Sequence, residues 1–262
     1  MTVPYFELLN PQGFKVENIG RIHSPKLHDI CDKGYKEYQY ALTVLLMTPR
    51  DFFEGVAKAT NEKNPYDELT VEQQNELDIF SMLTASESTR ADLISALGFF
   101  ICGELEFFEP KSCILVNPAT DENGTLTVDG IINAANWPVL CDVCLQAAHI
   151  ESEKKKVRKY KSERDRKRFE EFDRKKAEYE KNLHKGSKSN PDYELANIIS
   201  SVATFHNSLN MVNIWDMTVY QVHDTFDRQR IKEQVEISDL NYSVWGGDSH
   251  ESNMWFKSLK SL

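Results

Sequence analysis

The feature that most constrains this chain is a basic stretch from residue 151 to residue 190. Sixteen Lys and Arg stand there against nine Asp and Glu, a net charge of +7, whereas the whole chain carries a formal −10. The other residues therefore carry −17, and so abrupt a change of composition marks a boundary between modules. We predict an N-terminal body at 1–150, a charged helical linker at 151–190 and a C-terminal body at 191–262.

The basic stretch has the composition of a helix. Lys, Arg and Glu favour helices, and the first glycine is Gly186. A thin apolar line returns at near-heptad spacing through Phe169, Phe172, Tyr179 and Leu183. A solvated linker, a coiled-coil contact and a nucleic-acid footprint all fit a charged helix, but acidic residues are interleaved throughout, which argues against nucleic acid. We favour a linker or a partner-binding helix.

Size and composition indicate a packed protein. The chain has 262 residues, of which 40% are hydrophobic and 11% aromatic, enough for one large or two modest domains. No apolar run has the length of a membrane span, and the first residues do not resemble a secretory signal. Five cysteines at irregular spacing favour reduced thiols over a disulfide framework. We expect a soluble intracellular protein with no membrane attachment.

The hydrophobic pattern predicts a mainly α fold with a small β hairpin or meander around 104–128. Thr70 and Gln73 have the spacing of a capping box, and Ser24 precedes Pro25 as at a helix start. Strand-like runs stand at 104–108 and 113–116, with a third candidate at 126–128. A last helix of the N-terminal body is predicted from Ile131 to His149, interrupted at Trp137-Pro138.

Cys141 and Cys144 form the one cysteine pair at metal-binding or redox spacing. Zinc needs two further ligands at close spacing, and a thioredoxin-like motif needs a βαβ frame; the sequence supplies neither. Two buried cysteines on a helix are the favoured interpretation.

Motifs of catalysis are missing from the sequence. It contains no nucleophile elbow, no HExxH and no glycine-rich phosphate loop. We therefore expect a protein that is not an enzyme and that has no cofactor and no metal site.

Large aromatic residues in the C-terminal region are the more unusual feature. Either they fold back onto the helical body, or they form a docking surface, because Trp and Tyr anchor interfaces well. Together with the linker aromatics, the candidate partner-binding residues are Phe169, Phe172, Tyr179, Trp215, Tyr242, Trp245, Trp255 and Phe256. The aromatic tail, at 241–248 and 254–256, shows no helical or strand rhythm.

Several stretches at both ends of the chain resemble one family. They are Ile19-Gly-Arg-Ile22, Leu45-Leu-Met-Thr-Pro49, Leu209-Asn-Met-Val-Asn-Ile-Trp-Asp-Met-Thr-Val-Tyr-Gln221, Tyr242-Ser-Val-Trp-Gly246 and Trp255-Phe-Lys257. The chain resembles the tail assembly chaperones, or closely associated tail-morphogenesis proteins, of phages and prophages of Gram-positive bacteria. The likeness is carried by apolar and aromatic signatures and by no catalytic motif.

The resemblance implies partners and a location. Such chaperones are made as a short form that coats the tape-measure protein and a longer, frameshifted form that recruits tail-tube protein. The run Lys154-Lys-Lys156 stands where such a frameshift would fall. The implied partners are the tape-measure and tail-tube proteins, with self-association possible, in the bacterial host cytoplasm. A structural tail or baseplate component, retained in the virion, is the alternative, and a nucleic-acid-binding protein acting through 151–190 is a third hypothesis.

Overall fold

A computed structural model describes residues 1–60, 63–120, 125–150, 194–246 and 256 of the chain. These residues divide into two compact units. The first unit holds the described residues up to 150 together with Trp215–His223, and the second holds the remaining ones from 194 onward. The domain bounds inferred from the sequence remain a prediction, and the linker at 151–190 lies outside the described residues.

The first unit is built mainly from short helices. They are α1 (Tyr5–Leu9), α2 (Leu27–Lys33), α3 (Tyr35–Leu46), α4 (Pro49–Thr60), α5 (Val71–Glu76), α6 (Ile79–Thr84), α7 (Glu87–Leu97) and α8 (Trp137–Ala147). Side chains satisfy the free N–H groups at several helix starts, as short helices require. The predicted capping box of Thr70 and Gln73 is confirmed at the start of α5. Asp78 caps α6 by accepting from the N–H groups of Phe80 and Ser81.

Helices α3, α6, α7 and α8 pack around one apolar core. Tyr38 of α3 meets Phe99 edge-on, with ring centroids 5.6 Å apart. Phe80 of α6 lies 5.6 Å from Trp137 of α8, centroid to centroid. Because these aromatic side chains are large and almost wholly buried, they contribute much of the apolar area that stabilises the unit.

Small antiparallel sheets complete the first unit. Strands β1 (Phe14–Val16) and β2 (Gly20–Ile22) form a hairpin, and β5 (Ala119–Thr120) pairs with β6 (Leu126–Thr127). A three-stranded sheet has the order β3 (Leu105–Phe108), β4 (Cys113–Val116), β7 (Gly130–Ile132). The central strand β4 is buried along its whole length. The predicted fold class, mainly α with small β elements, is confirmed.

The prediction of a helix from Ile131 to His149 was wrong in its first third. Gly130–Ile132 is the third strand of the sheet, where the sequence pattern had placed residues 126–128. The Ile131 N–H also donates to the carbonyl of Asn18 at 2.8 Å, so the β1–β2 turn supports this strand. The helix begins only at Trp137, and Pro138 lies in its first turn, where a missing N–H costs nothing.

Among the described residues from 194 onward, two α-helices follow. Helix α9 (Leu195–Phe205) buries Leu195, Ile198, Ile199 and Val202. Helix α10 (Val219–Trp245) contributes its first residues, up to His223, to the first unit and the rest to the second. Among the described helices, none combines the length and the apolar character needed to cross a membrane.

Residues of the first unit determine where α10 begins. The buried hydroxyl of Ser24 accepts a hydrogen bond from the Tyr220 N–H at 3.0 Å, and the Pro25 carbonyl accepts from Val219 N–H at 2.8 Å. The prediction that Ser24 starts the adjacent helix was therefore wrong, because α2 begins after Lys26 without a side-chain cap. Ser24 caps a helix that lies almost two hundred residues further along the chain.

Two histidine rings stack within the same unit. His149 follows α8 in the left-handed conformation (φ 59°), and its ring lies 5.0 Å from that of His223, tilted by only 12°. The Ile150 N–H donates to the Leu145 carbonyl at 2.9 Å, which closes a Schellman motif around His149. Burial, and to a smaller extent the neighbouring His149, lower the pKa of His223 to about 4. The His223 ring is therefore neutral at pH 7.

Replacing Ser24 by Ala should destabilise the first unit. The change leaves the buried Tyr220 N–H without its acceptor, which costs about 1–3 kcal/mol in the free energy of unfolding. Urea denaturation of the full chain measures this difference. Ser88→Ala is the control, because Ser88 is exposed in the first turn of α7. Equal stabilities of the two variants would contradict the capping role.

His223 should make stability fall in mild acid. The pKa of His223 is about 4 in the folded chain but about 6.5 in the unfolded chain. The contribution of neutral His223 to the free energy of unfolding is therefore complete above about pH 6.5 and is lost as the pH falls towards 4. The loss at pH 5 is on the order of 2 kcal/mol. His223→Gln should reduce the difference in unfolding free energy between pH 7.5 and pH 5. The exposed His28 provides the control, His28→Gln, and an equal reduction in both variants would exclude the stacked pair as the cause.

Candidate protein-binding surface

Helix α10 has well-defined ends. Thr218 and Gln221 form a reciprocal capping arrangement at its start, with N–H to side-chain oxygen distances of 3.0 and 3.2 Å. Its end is fixed by Gly246, which has φ +69° and donates its N–H to the Tyr242 carbonyl at 2.9 Å. Because no glycine or proline stands between these points, one uninterrupted helix runs through residues that differ greatly in polarity.

The C-terminal half of α10 exposes an apolar stripe. Ile237, Leu240 and Val244 are 59%, 66% and 69% exposed, and they recur at i, i+3 and i+7, so they share one helix face. Trp245, 84% exposed, stands at the end of this face. Val235, only 7% exposed, points the opposite way, because two residues rotate the helix by about 200°. We call Ile237, Leu240, Val244 and Trp245 the apolar stripe.

The apolar stripe lies in an acidic segment. Between residues 233 and 245 the charged residues are Glu233, Glu236 and Asp239, and the segment has no Lys or Arg. Glu233 and Glu236 are exposed, and Lys232 lies 3.6 Å from the Glu236 carboxylate one turn earlier. A surface that is apolar at its centre and negative along its edge has the composition of a protein-binding site with electrostatic selectivity.

A cleft of about 600 Å³ lies on another face of α10, in the second unit. Its lining residues are Phe205, His206, Asn207, Asp224, Thr225, Arg228, Gln229, Lys232 and Phe256. Nδ1 of His206 accepts hydrogen bonds from the N–H groups of Ser208 and Leu209, at 3.2 and 3.3 Å. These contacts hold the ring in place against the turn that ends α9.

The cysteines of the first unit have the properties of packing residues. Cys141 and Cys144 are buried on α8, and burial raises the pKa of Cys141 to about 12 and that of Cys144 well above its usual value. Thiolates, the reactive and metal-binding form, are therefore strongly disfavoured at both positions. In the part of the chain that the structure describes, no group of three or more His, Cys, Asp or Glu is placed to hold a metal ion.

A histidine and a cysteine meet elsewhere in the first unit. Nδ1 of His23 lies 3.2 Å from Sγ of Cys102. Burial lowers the pKa of His23, and burial raises the pKa of the Cys102 thiol. Both shifts favour the neutral pair, which is the opposite of the thiolate–imidazolium pair that activates a cysteine nucleophile.

The partner-binding residues predicted from the sequence lie in several different parts of the chain. Phe169, Phe172, Tyr179 and Trp255 lie outside the described residues. Trp215 is half-buried in a short 3₁₀ turn (Ile214–Asp216), before α10 begins. Tyr242 and Trp245 stand on the last turns of α10, 46% and 84% exposed, so the interpretation that these two fold back onto the helical body was wrong. Phe256 lines the cleft of the second unit.

Sequence reasoning missed the aliphatic members of the stripe. The tail was taken to lack helical rhythm from Asn241 onward, but α10 continues without interruption to Trp245. The signal was present: Ile237, Leu240 and Val244 have helical spacing, and the first helix breaker is Gly246. The candidate residues were chosen for their aromatic side chains, so this weaker aliphatic pattern was not considered.

A pair of Gln substitutions distinguishes the two faces of α10. Leu240→Gln should change the free energy of unfolding by no more than about 0.5 kcal/mol, because the side chain is already exposed. Val235→Gln places an amide in an apolar environment and should cost about 2 kcal/mol or more. Thermal and urea denaturation of both variants measure these costs. A large loss in Leu240→Gln would mean that the stripe belongs to the core of the chain itself.

One comparison with known proteins bears on this region. Residues 186–260 match a family model described as the YomV second domain, and YomV is a phage- and prophage-associated protein. The match covers α9, α10 and the whole apolar stripe, but well under half of the chain. No curated protein and no solved structure matches the chain. The C-terminal part of this chain is thus similar to a domain of a phage- and prophage-associated protein.

Proposed function

We propose that this chain is a non-enzymatic tail assembly chaperone of a phage or prophage, which binds tape-measure or tail-tube protein while the virion is built. The observation that carries the proposal is the exposed apolar stripe of α10, within the residues that match the phage-related domain. An isolated chain that leaves three aliphatic side chains and a Trp in water on one helix face is built to cover that face with another protein.

Two further properties support a binding role. The formal net charge of −10 keeps a chain with exposed apolar residues in solution. Burial favours the neutral forms of Cys141, Cys144 and the His23–Cys102 pair, which favours binding over catalysis at these positions. Amphipathic helices docking on a helical surface are a common form of protein recognition, and a chaperone of a long helical protein needs this form.

Quantitative mass spectrometry of purified particles and of the lysate of phage-producing cells tests the proposal. A chaperone should be abundant in the lysate, missing from finished particles, and recovered with tape-measure or tail-tube protein when tagged. Stoichiometric presence in the particles would contradict it and would make the chain a structural component of the tail or baseplate.

A control in the same experiment separates specific capture from adhesion. The tagged double variant Ile237→Gln/Leu240→Gln should recover less tail protein than the unaltered chain. Val212→Gln changes a residue that is 85% exposed but lies outside α10, and it should recover the same amount. Equal loss in both variants would count against the stripe as the binding surface.

A further inference from the structure

We infer that the partner of the apolar stripe is a basic amphipathic helix, which lays its own apolar face on residues 237–245 and its Lys or Arg side chains beside Glu233 and Glu236. This inference deepens the proposed function, since it depends on α10 being a protein-binding element and names the chemistry of what binds there.

The geometry of the stripe favours a helical partner. Ile237 and Val244 are seven residues apart on one face, which separates them by about 10 Å, or two turns. Anchors at i, i+3 and i+7 match the spacing with which a second helix presents side chains at a helix–helix contact. An extended partner would need a strand edge, and the described residues of the second unit form only helices and turns.

The charge of the segment favours a basic partner. All charged residues from 233 to 245 are acidic, and Glu233 and Glu236 are both exposed beside the stripe. Each exposed ion pair with an approaching Lys or Arg contributes only about 0.2–1 kcal/mol. Burial of the apolar stripe therefore supplies most of the affinity. The carboxylates favour a partner of positive charge and accelerate its association.

The same charges argue against a dimer in which two copies of the stripe meet, and against a membrane. In a symmetric dimer the stripe would meet itself, and every charge contributed by residues 233–245 of both copies would be negative. An acidic helix is also repelled by the anionic lipids that attract basic amphipathic helices. A basic helix of a different protein satisfies both the apolar and the charged parts of the surface.

Two synthetic peptides test the inference with the full-length chain. One is an amphipathic helix of about eighteen residues, with Leu on one face and Lys beside it; the other has Glu in place of every Lys. Fluorescence anisotropy of the labelled peptides measures the affinities. We expect the basic peptide to bind with a dissociation constant on the order of micromolar, at least tenfold tighter than the acidic one. The preference should shrink as salt is raised.

Variants of the chain locate the contact. Ile237→Gln/Leu240→Gln should weaken binding of the basic peptide at least tenfold, while Val212→Gln leaves it unchanged. Glu233→Gln/Glu236→Gln should weaken it several-fold and flatten its salt dependence. Circular dichroism of each variant verifies that the helix content is retained, so a loss of binding reports the surface and not unfolding.

Three outcomes would overturn the inference. They are equal binding of the two peptides, unchanged binding by Ile237→Gln/Leu240→Gln, and a dimer of the chain that this double variant converts to a monomer in light scattering. None of these depends on the particle analysis. If tail protein is still captured by the chain while the peptides fail, the proposed function stands and the partner chemistry is wrong. If the chain is found in finished particles, the chaperone proposal fails whatever the peptides do.

Discussion

The hydrogen bond from the Tyr220 N–H to the buried hydroxyl of Ser24 is the contact on which the arrangement of the C-terminal helix depends. It fixes the first turn of α10 against the start of α2, and two backbone hydrogen bonds, Leu27 N–H to Met217 O and Val219 N–H to Pro25 O, flank it. Once the start of a helix is fixed, its period determines which side every later residue faces. Within the second unit, the same helical period separates the buried Val235 from the exposed Ile237, Leu240 and Val244.

Local sequence patterns were sufficient to predict the features whose interacting residues lie close together in the chain. The capping box of Thr70 and Gln73 was found from its spacing, and so were the strands around 104–108 and 113–116. Features that depend on contacts between residues far apart in the chain were not predicted. Ser24 caps a helix that begins at Val219, and Gly130–Ile132 became a strand because β4 and the β1–β2 turn offered it partners. No pattern within a window of ten or fifteen residues contains that information.

The candidate surface, too, was predicted only in part from the sequence. Tyr242 and Trp245 were selected from the sequence because large aromatic residues in a polar segment need an explanation, and both are exposed on α10. The aliphatic residues Ile237, Leu240 and Val244 were not selected, because the tail from Asn241 was not recognised as the end of a helix. The stripe becomes visible only when the helix is known to continue to Gly246, since exposure and spacing must then be considered together. The acidic residues Glu233 and Glu236, by contrast, could be read from the sequence. Their role beside the apolar stripe can be inferred only when they are known to lie on the same helix.

The central claim is that the face of α10 around Leu240 is a contact surface for another protein. A photo-crosslinking amino acid placed at position 240 of the full-length chain, in cells producing the phage, tests this most directly, with the same amino acid at position 212 as the reference. We expect position 240, and not position 212, to be linked to a basic helical segment of a tail protein, identified by mass spectrometry of the linked peptide. Cross-links from 240 to the same chain alone, or equal products from both positions, would contradict it.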